Sequence, residues 1–336
     1  MNNNIQAKLL NIVKSKISKT DNIGSVLSEL LSISIDAAYR RNRGETPLTI
    51  DEVQKICNYF SISFDDLASL KENNVLFEYS PLYNYDFSFD SYLDGLVDAL
   101  RRLSEATNPH ITLTVDNIAL FQLLNFPHLT RFRLFYWAKS HLQIEEYQNV
   151  LFEEEKLTDH AYSVGYEILQ RYVKIPTTEC YDPEFLKGFM RQIQYYSSAH
   201  LFKDPEYPLQ LMDEIKMMAY HIKKQAEIGK KFIYRQQAPA QGNEFNLYLN
   251  DTVNADNTYY YEAKEEKGIY VVHNHLNFLH TSDPTYVNES KSILDRQLSN
   301  SSIISQTNEK DRNSFFHKLD RTIDQFKSKI EADLLL

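Results

Sequence analysis

Within the first sixty residues, apolar side chains recur at spacings of three and four in several short runs, each closed by a polar turn. Ile5, Leu9, Ile12, Val13 and Ile17 trace a first helix that ends near "SKTDN". Ile23, Val26, Leu27, Leu30 and Leu31 trace a second, with Asp21 or Asn22 placed as its N-cap. Helices this short are marginal in isolation, so the pattern predicts a compact helical domain. Ile33 fills the next turn, Ser34 is placed as the N-cap of a third helix, and Gly44 ends it. Thr49 caps a fourth helix with Val53, Ile56, Cys57 and Phe60 on one face, and Asp51 and Glu52 suit its dipole. A fifth short helix, "SFDDLASL", is expected from Ser63.

The third helix stands apart in charge. "SISIDAAYRRNRGE", residues 32–45, gathers three arginines and an asparagine into a short segment of a chain whose net charge is -10. Residues 1–70 carry eight basic and eight acidic side chains, so the acidic excess lies beyond them. That balance argues against a nucleic-acid coat or a membrane-surface protein, yet leaves room for a small DNA-binding module. Ala37, Ala38 and Arg41 are expected to face the partner helix, and Ile35, Asp36, Tyr39, Arg40 and Arg43 to face outward.

Taken together, "LSELLSISIDAAYRRNRGETPLTIDEVQKICNYFSISFDDL", residues 27–67, resembles the five-helix DNA-binding domain of the lambda repressor and Cro family. With the first helix the resemblance covers residues 1–70. Ile33 in the turn, Ser34 opening the third helix, the Arg43-Gly44 end, Pro47, Leu48-Thr49, and Ile62-Ser63 to Leu67 stand in the family's register. The resemblance implies that the third helix enters the major groove of double-stranded DNA. Ile35, Asp36, Tyr39 and Arg40 are then the base-reading candidates: arginine pairs bidentately with guanine, aspartate accepts from cytosine, and isoleucine or tyrosine packs on a thymine methyl. Ser34 and Arg43 are candidates for phosphate contacts. Three positions depart from the family. Gly24 stands where a glutamine is common, and Glu45 where a basic residue is common. Arg41 stands where an aromatic residue is common, which suggests a packed stem with its head emerging toward phosphate. Asp36 equally suits the helix dipole, and the arginine cluster could instead be a solvated face or a protein-binding patch.

Beyond residue 70, a connector at 71–89 is aromatic and acidic, and Phe89, Tyr92, Leu93, Leu96, Val97, Leu100 and Leu103 then trace a strong amphipathic helix. "ITLTVDN" reads as a half-buried strand, and four helical segments follow between residues 127 and 232. "EFNLYLND", "TYYYEAKE" and "GIYVVHNH" read as strands, the last two joined by the turn "KEEKG", and helices near 285–298 and 309–331 finish the sequence. The strand near 111 is expected to join these. The fold class predicted is mainly α: a five-helix domain at 1–70, then a larger, predominantly helical α+β sensor and dimerisation domain at 90–336 with a small antiparallel sheet.

Signals for chemistry are sparse. Neither G-x-x-x-x-G-K-[ST] nor G-x-G-x-x-G occurs, nor H-E-x-x-H or G-x-S-x-G, so no catalytic residue, metal or cofactor is assigned. His273 and His275, two apart on one strand, are a candidate pair for a metal or ligand site, with a hydrogen-bonded strand end as the plainer reading. Ser302, Ser305 and Arg312 are candidates for a polar ligand pocket or for a loop that caps the last helix, with Asn308 as N-cap. Cys57 and Cys180 lack any ligand or disulfide spacing, and the opening residues lack the apolar core of a secretory signal, so a cytoplasmic protein with no membrane partner is expected. The leading expectation is a homodimeric transcription regulator that is not an enzyme, with an unidentified small-molecule or protein effector. The alternatives are an enzyme or effector tethered by the module, using His273 and His275, and an antitoxin-like interaction protein.

Overall fold

The computed structural model describes residues 5–17, 22–64, 67, 74–82, 88–153, 159–251, 257–264, 266–274 and 277–334. The chain divides into two compact units, Met1–Leu76 and Phe77–Leu336.

The first unit holds α1 (Ile5–Lys16), α2 (Ile23–Leu31), α3 (Ile35–Asn42) and α4 (Ile50–Phe60). Their apolar stripes meet in one core, with Leu9, Val13, Leu27, Ala38 and Ile56 fully buried. Local chemistry fixes where each helix begins. Asn22, not Asp21, which lies outside the described residues, caps α2 by accepting from Gly24 N at 2.8 Å. Ser34 Oγ accepts from Ala37 N at 3.2 Å to cap α3, and Thr49 and Glu52 form a reciprocal capping box on α4. Ser32 and Ser61 take left-handed backbone geometry to end α2 and α4, and Gly44, at φ 78°, follows α3. Of the expected fifth helix, Phe64 and Leu67 are helical; Asp65, Asp66 and residues 68–70 lie outside the described residues.

The second unit is built on a sheet much larger than expected. Its strands are β1 (Glu78–Tyr79), β2 (His110–Val115), β3 (Thr177–Tyr181), β4 (Phe245–Leu249), β5 (Thr258–Glu262), β6 (Lys267–His273), β7 (Asn277–Thr281) and β8 (Ser302–Ile303). They lie in the order β1-β7-β6-β5-β2-β3-β4-β8. The β5–β6 hairpin and the pairing of the 111 strand with it are as expected, Ile111 lying opposite Tyr261. The small antiparallel sheet is corrected to an eight-stranded mixed one, because β2–β3 and β3–β4 run parallel. Parallel neighbours need crossovers, and the helices supply them. From β2 to β3 run α6 (Leu120–Leu123), α7 (Pro127–Tyr136) with a π-helical extension Trp137–His141, α8 (Glu145–Gln148) and α9 (Asp159–Tyr172). From β3 to β4 run α10 (Lys187–Ser198) and α11 (Tyr207–Ile228). The remaining helices are α5 (Phe89–Glu105), α12 (Pro284–Ser299) and α13 (Glu309–Leu334).

Alternation along β5 sends its side chains to two different layers. Tyr260 packs with Ile269 of β6 and with Val287 and Leu294 of α12, whereas Tyr259 and Tyr261 pack on the main core with α5 and the crossover helices. That core also carries a buried polar knot. Glu179 of β3, fully buried, accepts from the hydroxyls of Tyr172, Thr177 and Tyr181, so its lone pairs are satisfied where water does not reach. Lys231, fully buried too, donates to Tyr172 O at 2.8 Å and sits 3.7 Å from the Tyr172 ring centroid. Burial drives its pKa down to about 7, against the opposing pull of Glu179.

Candidate nucleic-acid interface

The turn between α2 and α3 is stitched at both ends. Ile33 N donates to Ser28 O at 3.1 Å, and Ser28 Oγ donates to Ile33 O at 2.6 Å, which fixes the chain where it reverses into α3. Ala38, fully buried, lets α3 approach the core closely. Gln6, which the sequence reading did not single out, braces the far end: its Nε2 donates to Arg41 O and Thr46 O at 2.8 and 2.9 Å, and its Oε1 accepts from Leu48 N at 3.0 Å. One amide thus ties α1 to the end of α3 and to the approach to α4. Only the geometry reveals it, since a lone glutamine in an amphipathic helix carries no pattern.

On the outer face of α3, Ile35 is 54% exposed. Asp36 and Arg40, both largely exposed, pair with each other at 2.9 Å, the i,i+4 spacing of one helix face. Arg43 holds Glu45 through two contacts at 2.7 and 3.0 Å. Hydrogen bonding to Glu45 raises the Arg43 pKa, and the same bond lowers that of Glu45. The cationic groups of this face are therefore already neutralised by carboxylates of their own module. Exposed pairs of this kind are weak and exchangeable, so a phosphate or a base edge can replace the carboxylate.

Two expected positions need correction. Tyr39 does not stand clear on the outer face: its ring lies over Gly24, and its hydroxyl donates to Asn22 Oδ1 at 2.8 Å. Arg41 does not send its head outward. Its Nε and Nη2 contact Glu52 at 3.1 and 2.8 Å, its Nη1 donates to Ala37 O at 3.3 Å, and both side chains of the pair are about 15% exposed. A carboxylate on α4 takes up the guanidinium, so Arg41 clasps α3 to α4. Burial works against charge on Glu52, but the hydrogen bonds from Arg41 and Thr49 prevail and leave its carboxyl below the usual range. Ser34 spends its hydroxyl on the cap.

Among the described residues, the second-unit candidates are not gathered into one site. His273 lies beside Asn274 and edge-on to the Tyr79 ring, while His275 lies outside the described residues. Ser302 is exposed on β8, Ser305 accepts from Leu247 N at 3.2 Å, and Arg312 donates to Ile304 O and Gln306 O at 3.1 and 3.0 Å. The last two hold the loop that precedes α13, as the plainer reading had it, and Asn308 accepts from Asp311 N at 3.4 Å. Among the described residues, no three His, Cys, Asp or Glu side chains are grouped to hold a metal ion, and no helix is long and apolar enough to cross a membrane.

Two short helices joined by a stitched turn, the second capped by a serine and set against the first by a buried alanine, define the helix-turn-helix class. The family model described as the BetR domain matches residues 5–81, and that family is one of helix-turn-helix DNA-binding domains. The match includes all four described helices of the first unit. No curated protein and no solved structure matches the chain.

Proposed function

We propose that this protein is a sequence-specific transcription regulator of the lambda-repressor kind, active as a cytoplasmic homodimer whose second unit serves for sensing and oligomerisation. Binding, not catalysis, is its activity. The observation that carries the reading is the outer face of α3: Ile35, Asp36, Arg40 and Arg43 stand exposed on a helix fixed at its start by Ser34 and at its end by Gln6. In the mechanism, Arg40 leaves Asp36 to meet a guanine edge, Ile35 packs on a thymine methyl, and Arg43 leaves Glu45 for a phosphate. Few cations remain for phosphate, so a single module binds weakly, and two modules on a symmetric site supply the missing contacts.

Fluorescence anisotropy of the full chain on labelled duplex pools, titrated with salt, tests this directly. The expected result is binding that weakens steeply with salt and is lost in Arg40→Ala and Arg43→Ala together, with sedimentation showing a dimer. Binding of equal strength in the double variant would refute the assignment of α3 as the reading helix.

A further inference from the structure

The second unit holds a partly open cavity of about 730 Å³ between one face of the β5–β6–β7 region and helices α5 and α7, with Tyr92, Trp137, Tyr259, Tyr261, Tyr270 and Phe278 among its lining residues. That size suits a small molecule, for which sites run roughly 300–1,000 Å³. Arg133 of α7 also lines it, and the residue is 4% exposed. Its guanidinium lies 4.3 Å from the Phe189 ring centroid and 5.6 Å from that of Trp137. Among the described residues its polar partners are Gln192 Oε1 at 3.0 Å and Asn117 Oδ1 at 3.2 Å, and Nε has none. Among the described residues no carboxylate pairs with it. Burial lowers its pKa to about 10, which still leaves it charged at neutral pH.

A buried cation without a counter-ion is costly unless something else supplies the negative charge. The neighbouring amides point the same way. Arginine has donors only, so Asn117 and Gln192 must turn their oxygens toward it. Their NH2 groups then remain as donors, and both residues line the cavity. A buried guanidinium and two amide NH2 groups form a donor-only polar set. The exposed side chains Glu78, Arg102, Glu266 and Lys267, two of each sign, also line the cavity, and most of the remaining wall is aromatic and aliphatic.

We infer that this cavity is a binding site for a small organic carboxylate with an apolar or aromatic body, the carboxylate meeting Arg133, Asn117 and Gln192 and the body lying against the tyrosines of β5 and β6. A planar carboxylate matches the guanidinium fork, and its negative charge answers Arg133, the buried cation of the lining; the exposed Arg102 and Lys267 are offset by Glu78 and Glu266. Use of the site as an effector site rests on the regulator reading; binding itself does not, and the test below involves no DNA.

Trp137 is the sole tryptophan of the chain and lines the cavity, so its fluorescence reports occupancy. The probes are phenylacetate and octanoate, each against its uncharged amide, titrated into the full chain up to about 10 mM and checked by calorimetry. At least one carboxylate is expected to change Trp137 emission and to bind roughly tenfold or more tightly than its amide. Arg133→Met is expected to erase that preference. Gly95 of α5, whose added Cβ would meet nothing within 4 Å, also lines the cavity, so Gly95→Phe is expected to block binding without touching Arg133. No response to either carboxylate, equal binding of acid and amide, or carboxylate binding that survives Gly95→Phe would overturn the inference. The last two readouts stand even if Arg133→Met fails to fold.

Discussion

Tyr39 lies across Gly24 so closely that a Cβ on the glycine would come within 2.7 Å of the tyrosine Cζ. The tyrosine of α3 is thereby locked onto the start of α2, and Gly24, at a position where the lambda repressor and Cro family that the module resembles often carries glutamine, is explained by the ring above it. Gly24→Gln is expected to push Tyr39 off Asn22 and to cost about 1–3 kcal/mol, the usual penalty of overpacking. Urea unfolding of Gly24→Gln, Tyr39→Ala and the double variant checks this. A smaller cost of Gly24→Gln in the Tyr39→Ala background is the predicted coupling; equal costs in both backgrounds would mean the contact carries none.

In the proposed mechanism Glu45 competes with DNA for Arg43. Glu45→Gln removes that competitor, along with one negative charge from the face proposed to meet phosphate. The expected outcome is severalfold tighter DNA binding with unchanged melting of the free protein, since the pair is exposed. Anisotropy titrations at two salt concentrations read both parts of the claim, and weaker binding by the variant would contradict it.

Glu52 holds Arg41 and closes the α4 capping box, so Glu52→Gln should destabilise the first unit by about 1–3 kcal/mol at neutral pH. Its carboxyl pKa is lower folded than unfolded. The unfolded chain therefore takes up the proton first as pH falls. The stability contribution is complete above the unfolded value and disappears as pH drops through the folded one. Chemical denaturation across the acid range should show a shallower acid loss for Glu52→Gln than for the parent.

His221 makes a second, separable acid dependence in the other unit. Burial lowers its pKa to about 4, although its contact with the Phe232 carbonyl favours the charged form. Between about 6.5 and 4 the unfolded state binds a proton that the folded state does not, so stability falls as pH decreases through that window and levels below it. The loss is at most about 3 kcal/mol. Calorimetric unfolding from pH 7 to 4 should lose this component in His221→Gln; an unchanged slope would show that another group titrates there.

The first unit was legible because its determinants are local. Ser34, Thr49 and Gly44 fix helix ends by their own backbone chemistry, and the stripe containing Leu27, Leu31 and Ile56 has a helical period. What the reading missed there was pairing across elements: Arg41 with Glu52, Tyr39 over Gly24, and the Gln6 brace depend on residues 11 to 42 positions apart. In the second unit, β2, β5 and β6 announced themselves by alternation and β-branched or aromatic content. β3 did not, because "TTECY" is short and buried on both faces, so no alternation marks it. β1 and β8 are two residues each, below what a pattern can show. The cavity was invisible for a related reason. Arg133 reads as one basic residue of an amphipathic helix, and only the fold shows that it is buried with no carboxylate partner among the described residues.

The central claim, that α3 reads DNA sequence, is tested most directly by selecting genomic fragments with the purified full chain and repeating the selection with Arg40→Ala plus Arg43→Ala. An enriched inverted repeat, its half-sites about one helical turn apart and absent from the variant's selection, is the predicted result. Failure to enrich any sequence at low salt, or the same motif recovered by the variant, would contradict the account.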